Sequence, residues 1–139
     1  MRQVAWWNAV PKSEDSKVEA TKTRLEVIKD DGRAPHYPPL ECAEHIINYL
    51  FEVGPVMSGG MGSIQITNTE LRDWQQNIGI RLQPWEARFI RRLSGDYLGE
   101  SHRAAKEGCP APWKSEIEYV DKKQSVADMK NAIRALAAL

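Results

Sequence analysis

The stretch QPWEARFIRRLSGDYLGESHRAAKEG, residues 83–108, limits the fold more than any other part of the chain. Trp85, Phe89, Leu93 and Tyr97 recur every four residues, with Ile90 and Leu98 beside them. That period belongs to an α-helix and not to the alternation of a half-buried strand. Pro84 falls in the first turn, where a missing N–H removes no intrahelical bond. Gly95 and Gly99 are points at which the helix is expected to weaken, and it should end by Gly108. A stripe of this length needs other helices to cover it, which places Trp85 in the expected core.

The same period recurs along the chain. In SEDSKVEATKTRLEVIKDDG, Ser13 is a candidate N-cap, Val18, Thr21, Leu25 and Ile28 share a face, and Gly32 suits the C′ position. DGRAPHYPP is a breaker, because its three prolines cannot sit inside a helix. LECAEHIINYLFEV turns Ala43, Ile46, Ile47 and Leu50 inward and stops at Gly54-Pro55. In TNTELRDWQQNIG, Thr67 or Asn68 is the cap and Glu70 completes a capping box. Leu71, Trp74 and Ile78 form its stripe, and Gly79 closes it. Val126, Met129, Ile133 and Leu136 mark a last amphipathic helix. The expected fold is mainly α, a small single-domain bundle of about four to five helices with a Gly-rich loop and flexible or extended termini. Its expected parts are an N-terminal arm with a charged helix (1–37), a helical core (38–113) and a C-terminal amphipathic helix (114–139).

The glycine-rich loop poses the first functional question. Four of the chain's nine glycines lie between Gly54 and Gly62. A phosphate cradle needs backbone N–H groups at a helix N-terminus after a strand, and usually a lysine. Here the glycines follow a helix, and no lysine occurs between Lys29 and Lys106. The loop therefore reads as a mobile helix–helix connection.

Other constellations are weak. Nineteen basic residues balance nineteen acidic ones, so no global field draws in nucleic acid or an anionic membrane. No apolar run approaches the ~20 residues of a membrane helix, and no signal segment opens the chain. The expectation is a soluble cytoplasmic protein with no membrane association. Cys42 and Cys109 read as free thiols in a reducing compartment, with Cys42 a buried small hydrophobe. Cys42, His45, His102 and Cys109 lack the paired close spacing of a zinc site, so no metal or other cofactor is expected. Cys109 with His102 is a nucleophile–base candidate without a motif, and the carboxylate pairs Asp30/Asp31 and Glu116/Glu118 lie in polar stretches. No catalytic residue is assigned.

Nucleic acid is the stronger rival, since residues 67–108 have helix-turn-helix proportions and carry Arg81, Arg88, Arg91 and Arg92. Glu70, Glu86 and Asp96 offset that cluster, and Trp85 stands where a recognition helix presents polar groups.

The middle of the chain, residues 38–113, resembles tail assembly chaperones of long-tailed bacteriophages, proteins encoded beside the tape-measure gene. The residues that carry the resemblance are Tyr49-Leu50-Phe51-Glu52, Gly54-Pro55, the glycine loop, Glu70-Leu71-x-x-Trp74, Gly79, Leu82-x-Pro84-Trp85-Glu86, Leu93-Ser94 and Tyr97-Leu98. The resemblance implies a non-enzymatic protein of the host cytoplasm that binds the tape-measure protein, keeps it soluble and helps recruit tail-tube protein. It leaves room for an upstream chaperone partner. On that reading Trp6, Trp7, Met129, Ile133 and Leu136 are the expected partner contacts, being apolar side chains on segments outside the expected compact centre. The alternatives are a helix-turn-helix DNA-binding regulator and a structural tail or head–tail joining protein retained in the virion.

Overall fold

Thr23 and Thr67 start two helices by the same device. In the computed structural model, which describes residues 1–12 and 21–114, α2 spans Arg24–Asp30 and α4 spans Asn68–Ile78. The Thr23 hydroxyl accepts the Glu26 N–H at 3.2 Å, while the Glu26 carboxylate accepts the Thr23 N–H at 2.7 Å. Two orphan donors of the first turn are thereby satisfied. Thr67 accepts the Glu70 N–H at 3.1 Å, but Glu70 does not return the bond. Gly79, at φ 73, closes α4 in the left-handed conformation that glycine adopts without a Cβ penalty.

The remaining elements are α1 (Arg2–Asn8), α3 (Glu44–Val53), β1 (Met57–Gly59), β2 (Gly62–Ile64) and α5 (Pro84–Ala104). The described residues thus form a mainly α fold of five helices and one two-stranded sheet. The helix expected over 114–139, with Met129, Ile133 and Leu136, lies outside the described residues, as does Ser13.

Several boundaries differ from expectation. Thr21 precedes its helix because the Thr23 capping box sets the start one residue before Arg24. Helix α3 begins at Glu44 and not near Leu40, because Ala43 takes a left-handed φ of 56 and cannot continue a helix backwards. No break occurs at Gly95 or Gly99, and α5 runs through both to Ala104. At Gly95 the chain uses the missing side chain: a Cβ there would stand 3.1 Å from the Gln65 side-chain nitrogen.

The core is one cluster of Ile46 and Leu50 from α3, Ile66 from the segment before α4, Leu71 and Trp74 from α4, and Ile90 from α5. Met1, Tyr49, Leu82, Ala87 and Leu93 pack around it. Ile78, expected in the α4 stripe, is exposed at the last turn. Both α4 and α5 pack on α3, and α1 packs along α5. Tyr49 and Trp74 meet edge to face, with ring centroids 5.4 Å apart.

The glycine loop is a β-hairpin rather than a slack connection. Met57 pairs with Ile64, Ser58 with Ser63 and Gly59 with Gly62, with Gly60-Met61 as the turn. A Cβ on Gly59 would meet Ile64 Cγ2 at 2.7 Å and the Gly62 carbonyl at 2.9 Å, so the close pairing depends on glycine. Beyond the hairpin, the chain is clamped to α5 through three polar contacts. Ser94 Oγ accepts the Ile66 N–H at 3.0 Å, Arg91 Nε donates to the Ile66 carbonyl at 3.2 Å, and the Gln65 amide donates to the Arg91 carbonyl. Burying Ser94 costs little because its hydroxyl is satisfied in this way.

Candidate functional site

Trp6 and Trp7 are adjacent on a seven-residue helix, yet both are engaged. Successive helical side chains project about 100° apart and so meet different walls. Trp6 Nε1 donates to the Cys109 carbonyl at 2.9 Å, and Trp7 Nε1 donates to the His36 carbonyl at 3.0 Å. The two rings meet edge to face at 4.9 Å. Neither is a free anchor on a detached arm; both are half-buried in packing that joins residues 1–12 to the end of α5.

Polar groups reinforce this joint. Gln3 is buried, donating to the His36 carbonyl and accepting the Trp113 N–H at 3.2 Å. The Glu100 side chain, 1% exposed, accepts from Arg2 at 2.9 Å and from Arg103 at 3.4 Å through one oxygen. Arg24 reaches from α2 to carbonyls at the end of α5 and stacks on Trp6. Lys12 donates its N–H to the Ala105 carbonyl at 2.7 Å. Residues that look like a loose terminus thus complete the C-terminal half of α5.

The surface chemistry lies on the other half of that helix. Trp85 is 49% exposed and Phe89 38% exposed, so the expected core position of Trp85 is overturned. The face that α5 buries carries Ile90, Ser94, Glu100 and Ala104, and the small Ser94 and Ala104 permit close approach. The bulkier Trp85 and Phe89 are turned away from it. Arg88 and Arg92 are exposed beside them. Residues spaced i, i+3, i+4 and i+7 share one helix face, so Trp85, Arg88, Phe89 and Arg92 form a continuous strip.

Of the charges expected to offset this strip, Glu86 is committed elsewhere. Glu86 accepts the Gln83 N–H at 2.6 Å and lies 3.0 Å from His45 Nε2. The Gln83 bond first, and His45 second, hold its carboxyl below the usual range. Asp96 acts on the half-buried Met1 ammonium, whose pKa burial lowers and Asp96 raises. Arg88 and Arg92 make no ion pair among the described residues. Arg91 does not belong to the strip, since it serves the Ile66 carbonyl.

The remaining candidates do not assemble into a reaction centre. Cys42 is exposed, not buried, because it precedes the start of α3. His45 lies against Glu86 and 5.7 Å from the Tyr49 ring centroid. Among the described residues no group of three or more His, Cys, Asp or Glu is placed to hold a metal ion. An open concavity of about 500 Å³ is lined by Lys12, Arg103, Lys106 and Cys109 among others, without a histidine. A second, of about 410 Å³, lies between Arg72, Gln75, Gln76 and Arg81. No helix of the described residues is long and apolar enough to cross a membrane.

Comparison with protein-family models, with curated proteins and with solved structures finds no match to this chain. The signal that would have exposed Trp85 and Phe89 is present in the sequence. In PWEARFIRRLS a charged residue adjoins each aromatic, while the small residues Ala87 and Ser94 lie on the opposite side of the helix.

Proposed function

We propose that this protein is a tail assembly chaperone of a long-tailed bacteriophage. It acts in the host cytoplasm by binding the tape-measure protein and helping to recruit tail-tube protein, without catalysis. One observation carries the reading. Residues within the motifs of the resemblance, Phe51 at 45% and Trp85 at 49% exposure, are large apolar side chains that the fold leaves in solvent. A helical module with such a surface can cover the amphipathic stripes of a long helical client. Met129, Ile133 and Leu136 remain proposed contacts, whereas Trp6 and Trp7 would have to leave their internal partners to serve.

Co-expression with a tape-measure protein tests the proposal. The expected result is a soluble client that co-purifies with this chain. If the client stays insoluble and no complex forms, the reading fails. The helix-turn-helix alternative has less support, because α4 packs chiefly on α3 and not as a pair with α5. A salt-sensitive shift of duplex DNA would restore it. Detection of the chain in purified virions would instead indicate a structural component.

A further inference from the structure

We infer that the strip Trp85–Arg88–Phe89–Arg92 is a docking face for an acidic amphipathic helix of a partner protein. The inference deepens the chaperone reading and rests on it for the identity of the partner. Trp85 and Phe89 stand one turn apart and are both exposed. Such a pair offers two aromatic anchors to apolar residues at helical spacing on an incoming helix.

Charge complementarity specifies the rest. Arg88 and Arg92 flank the aromatics, make no ion pair among the described residues, and project from a rigid helix. The acid nearest the aromatics in sequence, Glu86, is occupied by the helix cap and His45. A partner with carboxylates beside its apolar seam gains charge-assisted hydrogen bonds from both guanidinium groups. A lysine-flanked partner meets like charge and is rejected. Nucleic acid fits less well, because two uncommitted arginines on a chain of balanced charge give a small counterion-release term.

The test uses the intact protein and two fluorescein-labelled synthetic helices, each with a leucine seam, one flanked by glutamates and the other by lysines. Anisotropy should show binding of the glutamate helix alone. Trp85→Ala with Phe89→Ala should weaken it about tenfold or more, as for central interface anchors. Arg88→Glu with Arg92→Glu should reverse the preference towards the lysine helix. Binding of neither helix, equal binding of both, or unchanged binding by the variants overturns the inference. Competition by single-stranded oligothymidine that the same variants abolish would also overturn it, in favour of nucleic acid. Far-UV circular dichroism checks each variant. If the aromatic pair proves necessary for folding, the arginine reversal decides alone. Tape-measure co-purification separates the two readings. A client retained by the arginine variant leaves the chaperone reading intact while this face fails. Peptide binding without client binding has the opposite meaning.

Discussion

The Arg24 guanidinium lies 4.6 Å from the centroid of the Trp6 ring and donates to the Ala104 carbonyl at 2.6 Å and the Lys106 carbonyl at 2.9 Å. One side chain of α2 thereby stacks on α1 and closes the end of α5. The last carbonyls of a helix lack intrahelical partners and carry its negative dipole end, so a cation there is doubly favoured.

Arg24→Lys should therefore destabilise the protein although it keeps the charge. An ammonium cannot stack on Trp6 and span both carbonyls at once. The lost hydrogen bonds and cation–π contact amount to roughly 1–3 kcal/mol. Urea denaturation measures this directly. A wild-type midpoint for Arg24→Lys would show that the clamp contributes nothing.

Two glycines of α5 should respond unequally to alanine. Gly99 is exposed and a Cβ there meets nothing within 4 Å, so Gly99→Ala should gain up to about 1 kcal/mol from helix propensity. At Gly95 the new methyl would press on the Gln65 amide at 3.1 Å and loosen its bond to the Arg91 carbonyl. Gly95→Ala should gain less, or lose. Melting temperatures of the two variants, measured side by side, decide; equal gains would mean that Gln65 yields freely.

These residues also show which features a sequence can reveal. The start and end of α4 are local chemistry, a threonine cap and a left-handed glycine, and both are read correctly from TNTELRDWQQNIG. Helix α1 is too short to form alone, and tertiary packing holds it against α5. No period in seven residues announces that. The hairpin was equally hidden, because glycine-rich strands lack alternation and their pairing rests on the Gly59–Ile64 approach. Trp85 shows that size alone is no sign of burial. The buried side of α5 carries Ile90, Ser94, Glu100 and Ala104, and the small volume of Ser94 and Ala104 is meaningful only once the neighbouring segment is known. The exposed strip is thus legible as a pattern of charges and aromatics, whereas the segment that covers the opposite face of α5 is not.

Stability should fall in acid through two helix caps. Glu26 and Glu86 each accept a backbone N–H, from Thr23 and Gln83 respectively, and those bonds are the leading cause of their lowered pKa. A folded pKa below the unfolded one means that the contribution is fully present above the ordinary glutamate value of about 4.3. It is lost as pH falls through the folded value. Urea midpoints should therefore decline below about pH 5. Glu26→Gln and Glu86→Gln should each flatten that decline, since an amide still accepts the bond but does not titrate. If the double variant keeps the wild-type slope, other carboxylates dominate acid unfolding.

Arg2 and Glu100 provide a sharper test of the joint between α1 and α5. Glu100 is almost wholly buried, whereas Arg2 and Arg103 are 49% and 59% exposed, so the desolvation cost falls on the carboxylate. Its second oxygen has no hydrogen-bond partner among the described residues, which makes the Arg2 bond harder to replace. Arg2→Met removes the 2.9 Å bond and leaves Glu100 with Arg103 alone. The expected loss is about 1–3 kcal/mol, the cost of under-satisfying a buried charged group. Replacing Glu100 by Gln in the same background should recover part of it, because a neutral amide tolerates the buried site better. A double-mutant cycle in urea measures the coupling. Simple additivity would show that the two residues act independently.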